Sequence, residues 1–247
     1  MSVTSYSLTD IGRQRQLNQD YVFTSEVAVG PLPNLFIVAD GMGGHKAGEF
    51  ASKSAVETIV NEVNRSKEKN AVKVLGKAIQ KANEKVRQKA SMDENYQGMG
   101  TTLVLASYSG HTLCVANVGD SRLYLISDKI RQITTDHSLV EEMIRMGGLD
   151  REKARSHPDK NIITRAVGVV DEVDADFFEV DDIKTGDIVL MCSDGLSNMI
   201  SDAELEEIVR EETSLEDRAK KMIALANQRG GKDNITVILA RLEVNEE

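Results

Sequence analysis

Residues 35–45 read LFIVADGMGGH. Leu35 to Ala39 carry no charge and are mostly bulky. The run ends on Asp40 and is followed by Gly41-Met42-Gly43-Gly44. Such a run reads as a buried strand. An ionised carboxylate at its end costs too much to keep without a partner. Either a cation meets Asp40, or Asp40 caps the turn that the glycines make.

The same grammar recurs along the chain. IVLMCSDG places Asp194 and Gly195 after an apolar strand, CVANVGDSR sets Asp120 beside Gly119, and GGKDNITVI puts Asp233 just before an apolar strand. Asp20, in RQRQLNQDYVF, opens another strand. Taken singly, each aspartate reads as a turn or helix cap. Jointly, several such ends on one sheet edge would crowd negative charge. Carboxylates without interleaved His or Cys suit hard cations, Mg²⁺ or Mn²⁺, with Ca²⁺ a further option. The DxDxDG spacing of calcium loops is missing, and His45, His111, His137 and His157 show no paired zinc spacing. Glycine beside the aspartates lets backbone approach the ions, and the Gly41 carbonyl can itself be a ligand. Two cations about 3.5–4 Å apart can share and acidify a water for hydrolysis at phosphorus. Arg15, near Asn18 and Asp20, is the candidate to hold the phosphate with a planar guanidinium. GMGGHKAG fits neither GxxxxGK[ST] nor GxGxxG, so its glycines do not cradle a nucleotide.

The patterning predicts blocks of elements. VTSYSLTD, DYVFTS and LFIVA read as strands, GEFASKSAVETIVNEV and NAVKVLGKAIQKANEKVRQKA as helices. TTLVLASY, HTLCVANV, SRLYLIS and KIRQIT form a second strand block with turns of hairpin length. DADFFEV, DIVLMCS and NITVILARL are further strands, DAELEEIVREE and LEDRAKKMIALANQRGG further helices. Strands joined by short turns mean antiparallel sheets with helix pairs on the outer faces. The expected fold is α+β, a four-layer α-β-β-α sandwich. With three prolines and no hinge-like linker, residues 1–247 are expected to form one domain.

Composition narrows the function. A net charge of −10 and pI near 5.0 argue against nucleic acid as the main partner. No run reaches the ~18 apolar residues of a membrane helix. The N-terminus lacks a signal-peptide pattern. Cys114 and Cys192 lie inside apolar runs, as in a reducing, cytoplasmic protein.

These motifs together carry a resemblance. RQRQLNQD, FIVADGMGGHKAGE, GMGTTLVLA, ANVGDSRLYL, TTDHSL, HPDKNIITRAVG, DIVLMCSDGLSNMI and GGKDNITVI occur in the order found in metal-dependent PPM/PP2C protein Ser/Thr phosphatases of the short bacterial type. The resemblance covers essentially the whole chain and implies two packed antiparallel sheets flanked by helices. It implies hydrolysis of phosphoserine and phosphothreonine in proteins by a metal-bridged hydroxide, without a phospho-enzyme, with two to three Mn²⁺ or Mg²⁺ ions. By motif, Asp40 bridges two metals and Gly41 completes one of them. Asp194 and Asp233 hold the other, and Asp120, shared with Asp194, serves a third. Arg15 resembles the phosphate-binding arginine, Asp20 a holder of metal-bound water, and Asn234 a supporting neighbour. The chain departs from the family in reading Gln19 where NED is common, and Met42 in the slot where animal members carry His. His45 is then the candidate proton donor, with metal-bound water as the alternative. Residues 138–166, with Gly147-Gly148 as a hinge, correspond to a flap beside the metal centre. The expected partners are phosphorylated proteins, with a Ser/Thr protein kinase as opponent, and the expected state is a monomer. The competing readings are a metal phosphodiesterase or nuclease, and a non-catalytic phosphoprotein-binding module.

Overall fold

The computed structural model describes residues 3–44, 46–154 and 157–244. In chain order the elements are β1 (Val3–Asp10), β2 (Asp20–Ser25), β3 (Leu35–Met42), α1 (Ala47–Arg65), α2 (Ala71–Met92), β4 (Gly100–Thr101), β5 (Leu103–Tyr108), β6 (Leu113–Val118), β7 (Arg122–Ile126) and β8 (Ile130–Gln132). Then follow α3 (Leu139–Arg145), α4 (Arg151–Ala154), β9 (Asp176–Val180), β10 (Ile188–Cys192), α5 (Asp194–Ser197), α6 (Asp202–Val209), α7 (Leu215–Gln228) and β11 (Ile235–Leu242). One sheet runs β1-β11-β10-β7-β8, the other β2-β3-β5-β6-β9, with β4 on β3. The strand pairs are antiparallel throughout.

Strand alternation sorts the side chains into three apolar layers. In β3, Leu35, Ile37 and Ala39 pack under α1 and α2, while Phe36 and Val38 face the gap between the sheets. In β10, Ile188, Leu190 and Cys192 pack under α6 and α7, while Val189 and Met191 face the same gap. In β11, Val237 and Leu239 go to the helices and Ile238 and Ala240 to the gap. Strands buried on both faces read as unbroken apolar runs, which is why LFIVA and IVLMC show no polar alternation. Three cores between four layers make the α-β-β-α sandwich. The same alternation sends Asp40, two residues beyond Val38, toward the rim of that gap.

Two details differ from the sequence reading. Asp40 is not the end of its strand: β3 continues to Met42 because Gly41 and Met42 pair with Thr101 and Gly100. The chain also folds into α4 and α5, each 4 residues long and too short for helical periodicity to reveal.

Next to β3, Asn34 completes the β3–β5 ladder with its side chain. Its Nδ2 donates to the Tyr108 carbonyl at 2.7 Å and its Oδ1 accepts from the Tyr108 N–H at 2.7 Å, all of it buried. Asn34→Ala strands both backbone groups, at roughly 1–3 kcal/mol each. The urea midpoint should fall accordingly. An unchanged midpoint would mean that water satisfies both groups.

Candidate metal centre

Three strand ends, a position inside β3 and one short helix build the site. In the β2–β3 ladder Asp20 stands directly opposite Asp40. Asp194 is the first residue of α5, immediately after β10 and Ser193. Asp233 precedes β11, and Asp120 follows Gly119 in the turn between β6 and β7. These elements bring the aspartates of the sequence reading together. Burial raises the Asp40 carboxyl well above its ordinary value, and the charges of Asp20, Asp194, Asp120 and Asp233 each raise it further. Asp120 is likewise held well up, by burial first and then by Asp194 and Asp136. Burial lifts Asp20 to about 7 and Asp194 to about 6, with Asp233 adding repulsion to both.

Polar neighbours fix these groups without cancelling their charge. Asp20 Oδ2 accepts from Ser193 Oγ and Thr236 Oγ1, both at 2.7 Å. Thr102 Oγ1 accepts from the Asp40 N–H at 3.0 Å, and Thr101 Oγ1 donates to the Asp40 carbonyl at 2.9 Å. Asn198 Nδ2 donates to Asp194 Oδ2 at 2.9 Å. Asn234 ties the N-terminal loop to the site: its Oδ1 accepts from Gln19 N–H, and its Nδ2 donates to the Ile11 and Leu17 carbonyls. Arg15, half exposed, donates from Nη2 to Asp233 Oδ2 at 2.7 Å. Two carboxylate oxygens, Asp20 Oδ1 and Asp194 Oδ1, are buried with no hydrogen-bond partner. Gly41 is closely crossed by backbone: a Cβ there would lie 2.0 Å from the Gly48 carbonyl oxygen.

The sequence model described as Protein phosphatase 2C matches residues 23–235. The serine/threonine phosphatase stp of Listeria innocua is 44% identical over 241 residues, covering 94% of this chain and 92% of that protein. The chain belongs to the protein phosphatase 2C family. The protein phosphatase PhpP of Streptococcus pneumoniae is 41% identical, with 97% of each chain covered. The crystal structure of the serine/threonine phosphatase Stp1 from Staphylococcus aureus superposes with a TM-score of 0.91 at 33% identity, over 98% of this chain and 96% of that one. The catalytic domain of the phosphatase PstP, solved in complex with 2 manganese ions, superposes with a TM-score of 0.86 at 30% identity, over 98% and 99%. Membership makes the chain a metal-dependent protein phosphatase of the bacterial type.

In this phosphatase 2C chain, no three His, Cys, Asp or Glu side chains among the described residues converge into a ready-made metal cage. The electrostatic coupling and the two orphaned oxygens still mark one shared site, and all-oxygen donors fit a hard divalent cation. His45 lies outside the described residues. Sequence reasoning did not anticipate the Ser193 and Thr236 bonds to Asp20, nor Asn198 on Asp194. It also missed Arg122, which grips Asp136 through Nε and Nη2 at 2.6–3.0 Å. A partial signal existed for two of them: Ser193 adjoins Asp194, and Thr236 shares a strand face with Asn234.

The raised carboxyls set the pH response of the metal-free phosphatase. Folded, Asp20 and Asp194 titrate near 7 and 6, and unfolding returns both to 3.8. The folded state therefore binds more protons in that window, and its stability falls as pH rises from about 4 to about 7. In EDTA, Tm should be higher at about pH 5.5 than at about pH 7.5. Saturating Mn²⁺ should reverse the order, because cations bind the ionised carboxylates. A Tm in EDTA that climbs with pH through this window would show that the cluster is not buried together.

Proposed function

We propose that this chain hydrolyses phosphoserine and phosphothreonine monoesters in proteins, with two to three Mn²⁺ or Mg²⁺ ions held by Asp40, the Gly41 carbonyl, Asp120, Asp194 and Asp233. The observation that carries the assignment is the buried gathering of aspartates around Asp40, whose charges all raise its carboxyl. When bound, the ions supply an acidified water and positive charge at the phosphate oxygens.

The chain's residues do the rest. Ser193 and Thr236 occupy Asp20 Oδ2, so Asp20 Oδ1 is left free to accept a hydrogen bond from the attacking water. Arg15 spends one donor on Asp233 and keeps others for the phosphate, in the planar geometry that suits phosphate oxygens. Asn234 holds the loop that carries Arg15 and Gln19 against β11. Cysteine chemistry has no support, since burial pushes the Cys114 thiol up to about 11 and Cys192 up to about 12. His45 stays the candidate proton donor.

Residues 138–166 act as a flap on the single catalytic unit. Lys160 in this segment lowers the pKa of Asp194 through its charge and reaches Asn198 Oδ1 at 3.4 Å. A cavity of about 540 Å³ separates the segment from α5 and α6, with Asp120 and Asp194 in its wall. We further infer a cytoplasmic monomer opposed by a Ser/Thr protein kinase. In its support, both cysteines are free and buried, and among the described residues no helix is long and apolar enough to cross a membrane.

Phosphate release from a phosphothreonine peptide should require Mn²⁺ or Mg²⁺ and stop in EDTA. Turnover that persists in EDTA, or release only from phosphodiesters, refutes the assignment. Asp194→Asn should reduce turnover by more than the roughly 10–100-fold typical of outer-shell changes. Its Tm in EDTA should match or exceed the parent's, because a like charge has been removed from the cluster. A fully active Asp194→Asn enzyme would eliminate Asp194 as a ligand.

A further inference from the structure

His137 is buried, with 6% of its surface exposed, and the catalytic scheme above gives it no part. It holds the loop that carries Asp120. The Gly119 N–H donates to His137 Nδ1 at 3.0 Å, and the His137 N–H donates back to the Gly119 carbonyl at 2.9 Å. Asn117 Nδ2 reaches the same carbonyl at 3.2 Å. Gly119 has φ +106°, a conformation that suits glycine, and a Cβ there would lie 2.7 Å from Thr102 Cβ. Thr102 in turn bonds the Asp40 N–H and sits 2.7 Å from Ser121 Oγ. The turn Gly119-Asp120-Ser121 is thus clamped between His137 on one side and the strand of Asp40 on the other.

The far side of the imidazole points elsewhere. His137 Nε2 meets Asp176 Oδ2 at 3.1 Å, on edge strand β9, and Arg165 Nη1 donates to Asp176 Oδ1 at 2.9 Å. The His137 carbonyl accepts from Thr164 N–H at 2.8 Å, and Ser138 bridges Ile163. His137 therefore joins the Asp120 turn, through its ring and its backbone, to the two ends of the 138–166 segment. The chemistry of the two ring nitrogens follows from their partners. Nδ1 faces an N–H donor and must be bare; Nε2 lies 3.1 Å from the Asp176 carboxylate, closer than the Arg165 Nη1 donor at 3.4 Å, and carries the hydrogen toward the carboxylate.

We propose that His137 is a positioning residue: its bare Nδ1 fixes the Gly119 backbone, and so fixes where the Asp120 carboxylate stands to receive a cation, while Nε2 ties that placement to the seat of the 138–166 segment. The proposal rests on Asp120 being a cation ligand, as assigned above.

Two substitutions separate the two ring nitrogens. His137→Asn keeps an acceptor near the position of Nδ1 and loses Asp176. His137→Gln places its amide near the position of Nε2 and loses Gly119. Each forfeits one buried hydrogen bond, so a purely structural role predicts similar losses of Tm in EDTA and similar metal titrations. The positioning role predicts a split. Calorimetric Mn²⁺ titration should show the Asp120-dependent site, identified by its loss in Asp120→Asn, weakened about 10–100-fold in His137→Gln, the range for outer-shell partners of a metal ligand. That site should shift less than about threefold in His137→Asn, well below that range. In EDTA, the Gly119 amide should exchange faster in His137→Gln than in the parent or in His137→Asn. Equal weakening in both variants overturns the proposal, as does an unweakened site or a still-protected Gly119 amide in His137→Gln. Should His137→Gln not fold, His137→Leu, which has no acceptor at the Nδ1 position, takes its place and should weaken the same site in the same direction relative to His137→Asn; parental affinity there overturns the proposal. A parent protein with no Mn²⁺ site that depends on Asp120 removes the ligand assignment and this inference together. Mn²⁺-dependent release from the phosphothreonine peptide would then show that the phosphatase reading itself stands.

Discussion

The repulsion among aspartates at the rim of the sandwich is the constraint around which the site is built. Antiparallel pairing puts Asp20 directly across from Asp40, and like charges directly opposite on a sheet are destabilising. Neither can turn away. Asp40 shares a strand face with Phe36 and Val38, whose burial between the sheets fixes the register of β3. A one-residue slip would bring Ala39 to the gap and drive the apolar set to the wrong faces. The apolar core therefore holds a carboxylate where charge alone would not leave it. The result is a pocket of stored repulsion that a divalent cation can relieve.

The supporting polar groups fit that function. Ser193, Thr236, Thr101, Thr102, Asn198 and Asn234 are neutral. They orient carboxylates and backbone by hydrogen bonds, yet supply no charge to compete with a cation. A lysine in any of these places would neutralise the cluster and stabilise the metal-free fold. The raised pKa of Asp20 persists despite two hydroxyl bonds that act to lower it. Stability is given up locally so that affinity can be expressed, a trade in which the apolar layers carry the cost.

The fold was legible in the sequence because strands buried on both faces write themselves as continuous apolar runs, and α1, α2, α6 and α7 carry their own periodicity. LFIVA and IVLMC needed no tertiary knowledge to read. The end of β3 did, because Gly41 and Met42 join the strand only through pairing with β4. At the site, the gathering of aspartates was legible from their places beside glycine or a tight turn at the mouths of the predicted strands. Their partners were not. Ser193 and Thr236 are 43 residues apart in sequence, and each meets Asp20 only because β10 and β11 pair beneath it. His137 sits in TTDHSL with no local cue to its role, since its contacts come from Gly119 and from Asp176, 39 residues on.

Arg122 shows how a basic residue can lie near such a centre without neutralising it. It sits on β7, two residues past Asp120, and its charge lowers the Asp120 pKa. Its fork is taken up by Asp136, whose own charge raises the Asp120 pKa more than Arg122 lowers it. The pair therefore adds no net positive charge at Asp120, and Arg122 Nη1 is turned instead to the Tyr124 hydroxyl at 3.0 Å. Breaking the pair at Asp136 would leave the arginine charge uncompensated beside Asp120 and lower the electrostatic demand for a cation there. Breaking it at Arg122 would leave Asp136 unopposed and raise that demand. The electrostatics of Asp120, the proposed third ligand position, are thus set in part by residues outside the carboxylate cluster, as its place is set by the Gly119 backbone.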